Sequence, residues 1–349
     1  MKQNKLNILL ILMIFVLSLV PQGVTAEEQR NSDSGVLFAM DIVPADLDTE
    51  QKITRGEMVK YIYALANFDV YAEKDYFCDI QDSEYRTYIN DSCERGLTSQ
   101  SSNNQFRPGD TITFNEAVKL LVSVLGYDIK AKYMGGYPSG YLKAAKEIDL
   151  LSGVYTTDNA VTGSIMLSLF INALETPVFA ETGIYSDRTD YYPGEPLLYV
   201  AYQMEKVSGV VKANSRTSLA KAGGVGKNQI KIDTATYQAG ETDAEEFLGR
   251  YVTAYCKVDK SSDIREIKYI TAGRKNVEKK ISSGLIDKRS TLNTIYYYEN
   301  SQTERYKMLS LISAPYVIYN GVAAREIQNE LLFPLCGDVT VIDYNDDGK

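Results

Sequence analysis

Three stretches in the first half of the chain share one pattern of apolar and polar positions. Each opens with a short helix-like run, stops abruptly, crosses a polar loop and restarts at a Thr that precedes a second apolar-periodic run. The opening runs are Gly35 to Met40, Tyr85 to Arg95 and Tyr141 to Ile148, and the restarting residues are Thr54, Thr113 and Thr162. After each Thr the apolar side chains fall on one helical stripe: Val59, Ile62, Tyr63 and Ala66, then Val118, Leu121, Val122 and Leu125, then Leu167, Phe170, Ile171 and Leu174. The last run meets Pro177, where a helix should stop. No unit could bury its stripe alone, so the three are expected to pack together as one helical bundle over 33–180, divided at about 33–72, 73–128 and 129–180.

Beyond Pro177 the period changes. Residues 181–203, with Tyr191-Tyr192-Pro193-Gly194-Glu195-Pro196, read as a linker. From 204 to 349 come short alternating stretches: Val207 to Ala213, Gln229 to Asp233, Tyr251 to Val258, Ile264 to Ile270, Thr294 to Tyr298 and Tyr316 to Tyr319. Clusters of Gly, Asn, Asp and Ser separate them, the pattern of an all-β region of one or two small barrels or sandwiches. Ala244 to Gly249 reads as one short helix closed by Gly249. Val339 to Ile342 reads as a strand with no closing partner, which suggests a chain cut through a longer protein. The predicted fold class is therefore multi-domain α and β.

Thr54 with Glu57 three positions later, ahead of an apolar run, is the signature of a capping box, and Thr113 with Glu116 repeats it. Arg55 lies in the first helical turn, where the helix end already carries partial positive charge. A cation there calls for an anion, held between its guanidinium and the free amides of the helix start; the alternative is an ordinary surface Arg. The equivalent positions are Phe114 and Gly163, and the third unit has Ile165 in place of the capping Glu. Thr54, Glu57, Thr113 and Glu116 are thus assigned to helix initiation, and Arg55 alone carries the binding role.

Composition narrows the chemistry. Histidine and tryptophan are absent, which removes Ser-His-Asp and Cys-His catalysis and the usual zinc ligand sets. No acid pair stands out, so no catalytic residue is assigned and an enzyme is unsupported. Lys2 and Lys5, an apolar stretch from Ile8 to Val20 and Val24-Thr25-Ala26 read as a secretory signal over 1–26. Removing it takes the formal charge from -9 to -11, against nucleic-acid binding, with no membrane association after cleavage. Any anionic ligand must then be held locally rather than steered in.

Cys78 and Cys93 share a segment and could pair, whereas Cys256 and Cys336 read as buried thiols. Ala222-Gly223-Gly224-Val225-Gly226 lacks the Lys of a phosphate loop and reads as a turn. The 27 tyrosines include Tyr296-Tyr297-Tyr298, weighed toward strand packing over a carbohydrate platform. Asp343, Asn345 and Asp347 before Gly348 match the first half of a calcium loop, the one cofactor suggested, at low affinity because the bidentate acid would lie past residue 349.

These motifs resemble the S-layer homology domain, the three-repeat wall-anchoring module of Gram-positive surface proteins. Phe106-Arg107-Pro108-Gly109-Asp110-Thr111-Ile112-Thr113 is similar to its F-x-P-x-x-x-I-T segment, Phe77-Cys78-Asp79-Ile80 to its F-x-D-I opening, and Ile53-Thr54-Arg55-Gly56-Glu57 to its I-T-R-x-E motif. Gly135 to Tyr141 and Asn172-Ala173-Leu174 resemble clostridial-type members, and the β-region resembles modules that follow such repeats. The resemblance covers 33–180. It implies a pseudo-threefold bundle, secretion to the cell wall or surface layer, and binding of a pyruvylated secondary wall polysaccharide with Arg55 on the anionic sugar. Other surface-layer subunits are a further implied partner. Two alternatives stand beside this reading: an extracellular polysaccharide-active enzyme with its catalytic domain beyond residue 349, or a helical domain that has lost its ligand and acts in subunit contacts.

Overall fold

The structure is a computed structural model describing residues 33–100, 103–184, 189–220, 224–259, 261, 264–302, 304–313, 315–324, 326 and 328–348. The expected signal over 1–26 lies outside the described residues, as does part of the glycine-rich turn at 222–226. The described residues hold eight α-helices and thirteen β-strands, the strands spread over several small sheets.

Each unit is a pair of helices whose second member starts at the expected Thr. The first pair is α1 (Gly35–Ala39) and α2 (Arg55–Ala66); the second is α3 (Arg86–Glu94) and α4 (Phe114–Val124). The third is α6 (Ser139–Glu147) and α7 (Gly163–Glu175), with the short α5 (Asp128–Tyr133) leading into it. The apolar stripes meet in one core that contains Ile62, Leu121, Leu125, Phe170 and Leu174, all essentially inaccessible to solvent. Burial of this kind contributes about 25 cal/mol per Å² of apolar surface, the main force holding the three pairs together.

The units are also laced by their backbones. Ile53 donates its amide to Val161 O (2.8 Å), Ile112 to Ile53 O (2.9 Å), and Val161 to Ile112 O (3.2 Å). Each residue just before a capping Thr thus bonds to the next unit, and the three bonds close a ring. The loops repeat the relation around it. The amides of Arg55, Phe114 and Gly163, the first residue of each second helix, go to the carbonyls of Asp110, Asn159 and Gln51 in the neighbouring unit's loop.

The segment 181–203 is not a free linker. β1 (Pro177–Ile184) and β2 (Thr189–Pro196) form an antiparallel hairpin, and α8 (Leu197–Tyr202) follows directly. The Pro-Gly-rich run that reads as a connector is an irregular strand. Phe179 stacks on Tyr127 (4.8 Å between ring centroids), and Gly126 lets this strand approach, since a Cβ there would lie 2.1 Å from Phe179 O. α8 buries Leu197 and Leu198 in the helical core. Tyr202 donates its hydroxyl to Ala64 O, while Lys257 donates to Tyr202 O (2.6 Å). Helices and strands are therefore joined by packing as well as by the chain.

β3 (Met204–Ala213), β4 (Gln229–Ile232), β5 (Ala235–Gln238), β7 (Ile264–Ala272) and β6 (Tyr251–Asp259) close a five-stranded barrel in that order. Val211, Ile230, Val252, Cys256 and Ile267 fill its core, and burial pushes the Cys256 thiol up to about 12. The short helix expected from Ala244 is a 3₁₀ turn, Ala244–Phe247. Past the barrel the described residues form two-stranded sheets: β8 (Val277–Ser282) with β13 (Asp338–Asp343), β9 (Thr294–Tyr297) with β10 (Lys307–Ser310), and β11 (Ile318–Tyr319) with β12 (Val322–Ala323). The strand expected to lack a partner has one in β8, whose sequence Val-Glu-Lys-Lys-Ile-Ser is too polar to announce itself. Tyr297 is buried, and Tyr296 packs edge-on against Tyr306 (5.4 Å).

Candidate functional site at the junction of the first two units

The two capping boxes set the geometry. Thr54 Oγ1 accepts the Glu57 amide (3.2 Å), and Glu57 Oε2 accepts the Thr54 amide (2.7 Å). At α4, Thr113 Oγ1 accepts the Glu116 amide (3.3 Å), and Glu116 Oε2 accepts both the amide (3.0 Å) and the hydroxyl (2.7 Å) of Thr113. Both helices thereby start in register with the loops packed on them.

Arg55 stands where α2 begins and reaches across the junction into the second unit. Nε donates to Phe106 O (2.8 Å), Nη1 donates to Glu116 Oε1, and the guanidinium lies over the Phe106 ring at 4.7 Å from its centroid. Phe106 is itself fixed: its ring meets Phe77 edge-on (5.3 Å), and Asp79 accepts the amides of Phe106 (2.9 Å) and Arg107 (2.8 Å). The side chain of Arg55 is 19% exposed, and among the described residues Nη2 has no acceptor. Nη2 is thus the nitrogen of this charged, ring-backed guanidinium left for a ligand.

The amides are another matter. A ligand cradled between the guanidinium and the helix start is ruled out, because Arg55 N donates to Asp110 O and Gly56 N to Pro108 O, both at 2.9 Å. The neighbouring loop occupies the position assigned to an anion. What remains for a ligand is the side-chain edge.

Three more groups complete the site: Glu116, which the sequence marked only as a cap, and Lys119 and Tyr137, which it did not single out for binding. Glu116 is shared, with Oε2 on the cap and Oε1 on Arg55. Burial pushes its carboxyl up, but the Thr113 amide and hydroxyl and the Arg55 charge outweigh that and hold it below its ordinary value. Lys119, one turn further along α4, donates to Leu97 O (2.9 Å). Burial lowers the Lys119 ammonium, with Asp128, Lys132, Arg55 and Glu116 as its charged neighbours. Tyr137, half exposed, brings in the third unit: burial and the Glu116 charge raise its hydroxyl, while Thr113 and Arg55 act the other way. A Lys one turn after a capping Glu was the available signal for Lys119. Nothing local pointed to Tyr137.

The chain is similar to the middle cell wall protein of Brevibacillus brevis. The two are 21% identical over 245 residues, covering 62% of this chain and 22% of the length of that relative. No protein-family model matches the chain.

The other junctions are built differently. Phe114 occupies the Arg55 position at the second. At the third, Gly163 faces the loop of the first unit so closely that a Cβ would lie 2.6 Å from Asp48 O and 2.9 Å from Thr49 Cα. The cap there is one-sided, Thr162 Oγ1 accepting the Ile165 amide at 3.5 Å.

Asp343 and its neighbours lie far along the chain on an exposed turn. Asp343 accepts the amides of Asn345 (3.2 Å), Asp347 (3.3 Å) and Gly348 (2.8 Å), and Asn345 donates to Asp347 Oδ2 (2.9 Å). Among the described residues no group of three His, Cys, Asp or Glu is arranged to hold a metal ion. Cys78 and Cys93 are free thiols rather than a pair, and Cys336, expected to be buried, is exposed. No described helix is long and apolar enough to cross a membrane.

Proposed function

We propose that this is a non-catalytic cell-surface protein, held at the cell wall by its helical domain, which we read as an S-layer homology bundle. In this reading an anionic secondary wall polysaccharide binds at the junction of the first two units, through the open edge of Arg55. The carrying observation is the Arg55 guanidinium itself: backed by Phe106, open at Nη2, and replaced at the other two junctions by Phe114 and Gly163. Lys119 supplies a second cation within the same electrostatic neighbourhood, and Tyr137 a partly exposed aromatic wall. The similarity to a cell-wall protein of Brevibacillus brevis supports the location. One ligand per chain is expected, not three. The β-region would act as a spacer or displayed module, and calcium at Asp343, Asn345 and Asp347 would be at most a local stabiliser of that turn.

The test is sedimentation of the full chain with Gram-positive sacculi that retain their anionic polymer and with the same sacculi stripped of it. Arg55→Ala is expected to weaken binding to the intact sacculi by roughly tenfold or more, the worth of a hydrogen bond to a charged group. Equal sedimentation with stripped sacculi would sink the polysaccharide reading.

A further inference from the structure

The two oxygens of Glu116 do separate jobs. Oε2 accepts the amide and the hydroxyl of Thr113 and so caps α4, while Oε1 accepts from Arg55 Nη1. The cap is complete without the ion pair, as the box at α2 demonstrates with the same two reciprocal backbone bonds between Thr54 and Glu57. Arg55 is likewise positioned without Glu116, because Phe106 holds it twice, through its carbonyl at Nε and through its ring. The ion pair is therefore needed neither to start α4 nor to aim the guanidinium.

We propose that Glu116 is an internal competitor for Arg55: a carboxylate of the protein that occupies the guanidinium until an anionic group of the ligand displaces it. This rests on the anion-binding reading of the junction. The two carboxylates would contend for one fork, and the one that leaves stays tethered by Oε2 to Thr113, so exchange does not unfold the helix. A guanidinium engaged at Nε and Nη1 but not at Nη2 can take an incoming oxygen before the resident one departs. The charged groups facing Glu116 are Arg55 from α2 and, on its own helix, Lys119; the neutral Tyr137 faces it from the third unit. With Glu116 gone from the count, Arg55 would lose its partner carboxylate, and Lys119 would keep only Asp128 as an opposing charge. The resident carboxylate thus lowers affinity, and it favours ligands whose anion can approach both edges of the guanidinium over those offering a lone point charge.

The decisive substitution is Glu116→Gln. Glutamine is the other residue that serves in a capping box, so α4 keeps its start while the charge on Oε1 is lost. Binding of the full chain to sacculi bearing their anionic polymer is expected to tighten roughly tenfold, the scale of one charged hydrogen bond released. Its fall with added salt should also steepen, because one more uncompensated cation faces the polymer. A melting temperature lowered by no more than about 2 °C, the small loss expected of a partly exposed pair, separates this from a structural effect. If Glu116→Gln weakens binding or leaves it unchanged while Arg55→Ala still weakens it roughly tenfold or more, the competitor role is wrong and the anion site stands. If neither substitution changes binding, the site itself is wrong, and the competitor role goes with it.

Discussion

At the first junction a twelve-residue helix begins with Arg55, whose side chain crosses to the second unit and lies on Phe106; at the third, the same helical position is Gly163, pressed against the backbone of Asp48 and Thr49. The backbone bonds beneath are equivalent, Arg55 N to Asp110 O and Gly163 N to Gln51 O. The difference lies in what the neighbouring loop sets beside the first side chain. At the first junction there is room for a long cation lying on an aromatic ring. At the third, Asp48 O and Thr49 leave no space for a Cβ, and the residue is glycine. One ring of three units thus yields one equipped junction, and the loss at the third is steric.

Gly163→Ala attacks that contrast most directly. The new Cβ must displace a backbone carbonyl, which cannot rotate away as a side-chain tip would, and the expected loss is about 1–3 kcal/mol of unfolding free energy. Urea titration of the full chain would read it as a lower midpoint. A neutral or stabilising result would mean the loop over the third helix can yield, and the steric account would fall.

A smaller effect separates the two kinds of cap. Thr113→Ala removes a reciprocal box and should cost about 1 kcal/mol, whereas Thr162→Ala removes a single long contact and should cost about half as much. Equal losses would mean that reciprocity contributes nothing here.

The helix starts could be read along the chain because a cap and its partner lie three residues apart, and the stripes because they repeat with the helical period. The contacts that shape the candidate site could not. Arg55 meets Glu116 across sixty-one positions, and no local spacing distinguishes that partner from any other Glu. The same limit applies farther on. The hairpin of Pro177–Ile184 and Thr189–Pro196 carries prolines and a glycine that locally signal a connector, yet β1 docks on Leu125 O through the Phe179 amide (2.8 Å). Strand β8 was hidden by its charges, because exposed two-stranded pairing asks for little hydrophobic alternation. Tertiary context decided these elements, and it decided which junction leaves room for a side chain.

The smallest predicted effect is a pH dependence that one junction has and the other lacks. Glu116 is held below its ordinary value, so the folded state binds its proton less readily than the unfolded chain does. Its contribution to stability is then complete above the ordinary glutamate range near ~4.3 and is lost as pH falls through the lower, folded value. Ile165, the equivalent residue at the third junction, titrates at no pH. Other carboxylates also respond to acid, so the informative quantity is the stability of the natural chain minus that of Glu116→Gln, in which they cancel. That difference should be below about 1 kcal/mol near neutral pH, as expected of a partly exposed pair. It should shrink toward zero between about pH 4 and the acid limit of reversible unfolding. A difference that stays flat over this range would show that the Arg55 pair and the Thr113 cap do not favour the ionised carboxylate. Glu116 would then be a spacer between two units rather than the charge that Arg55 faces.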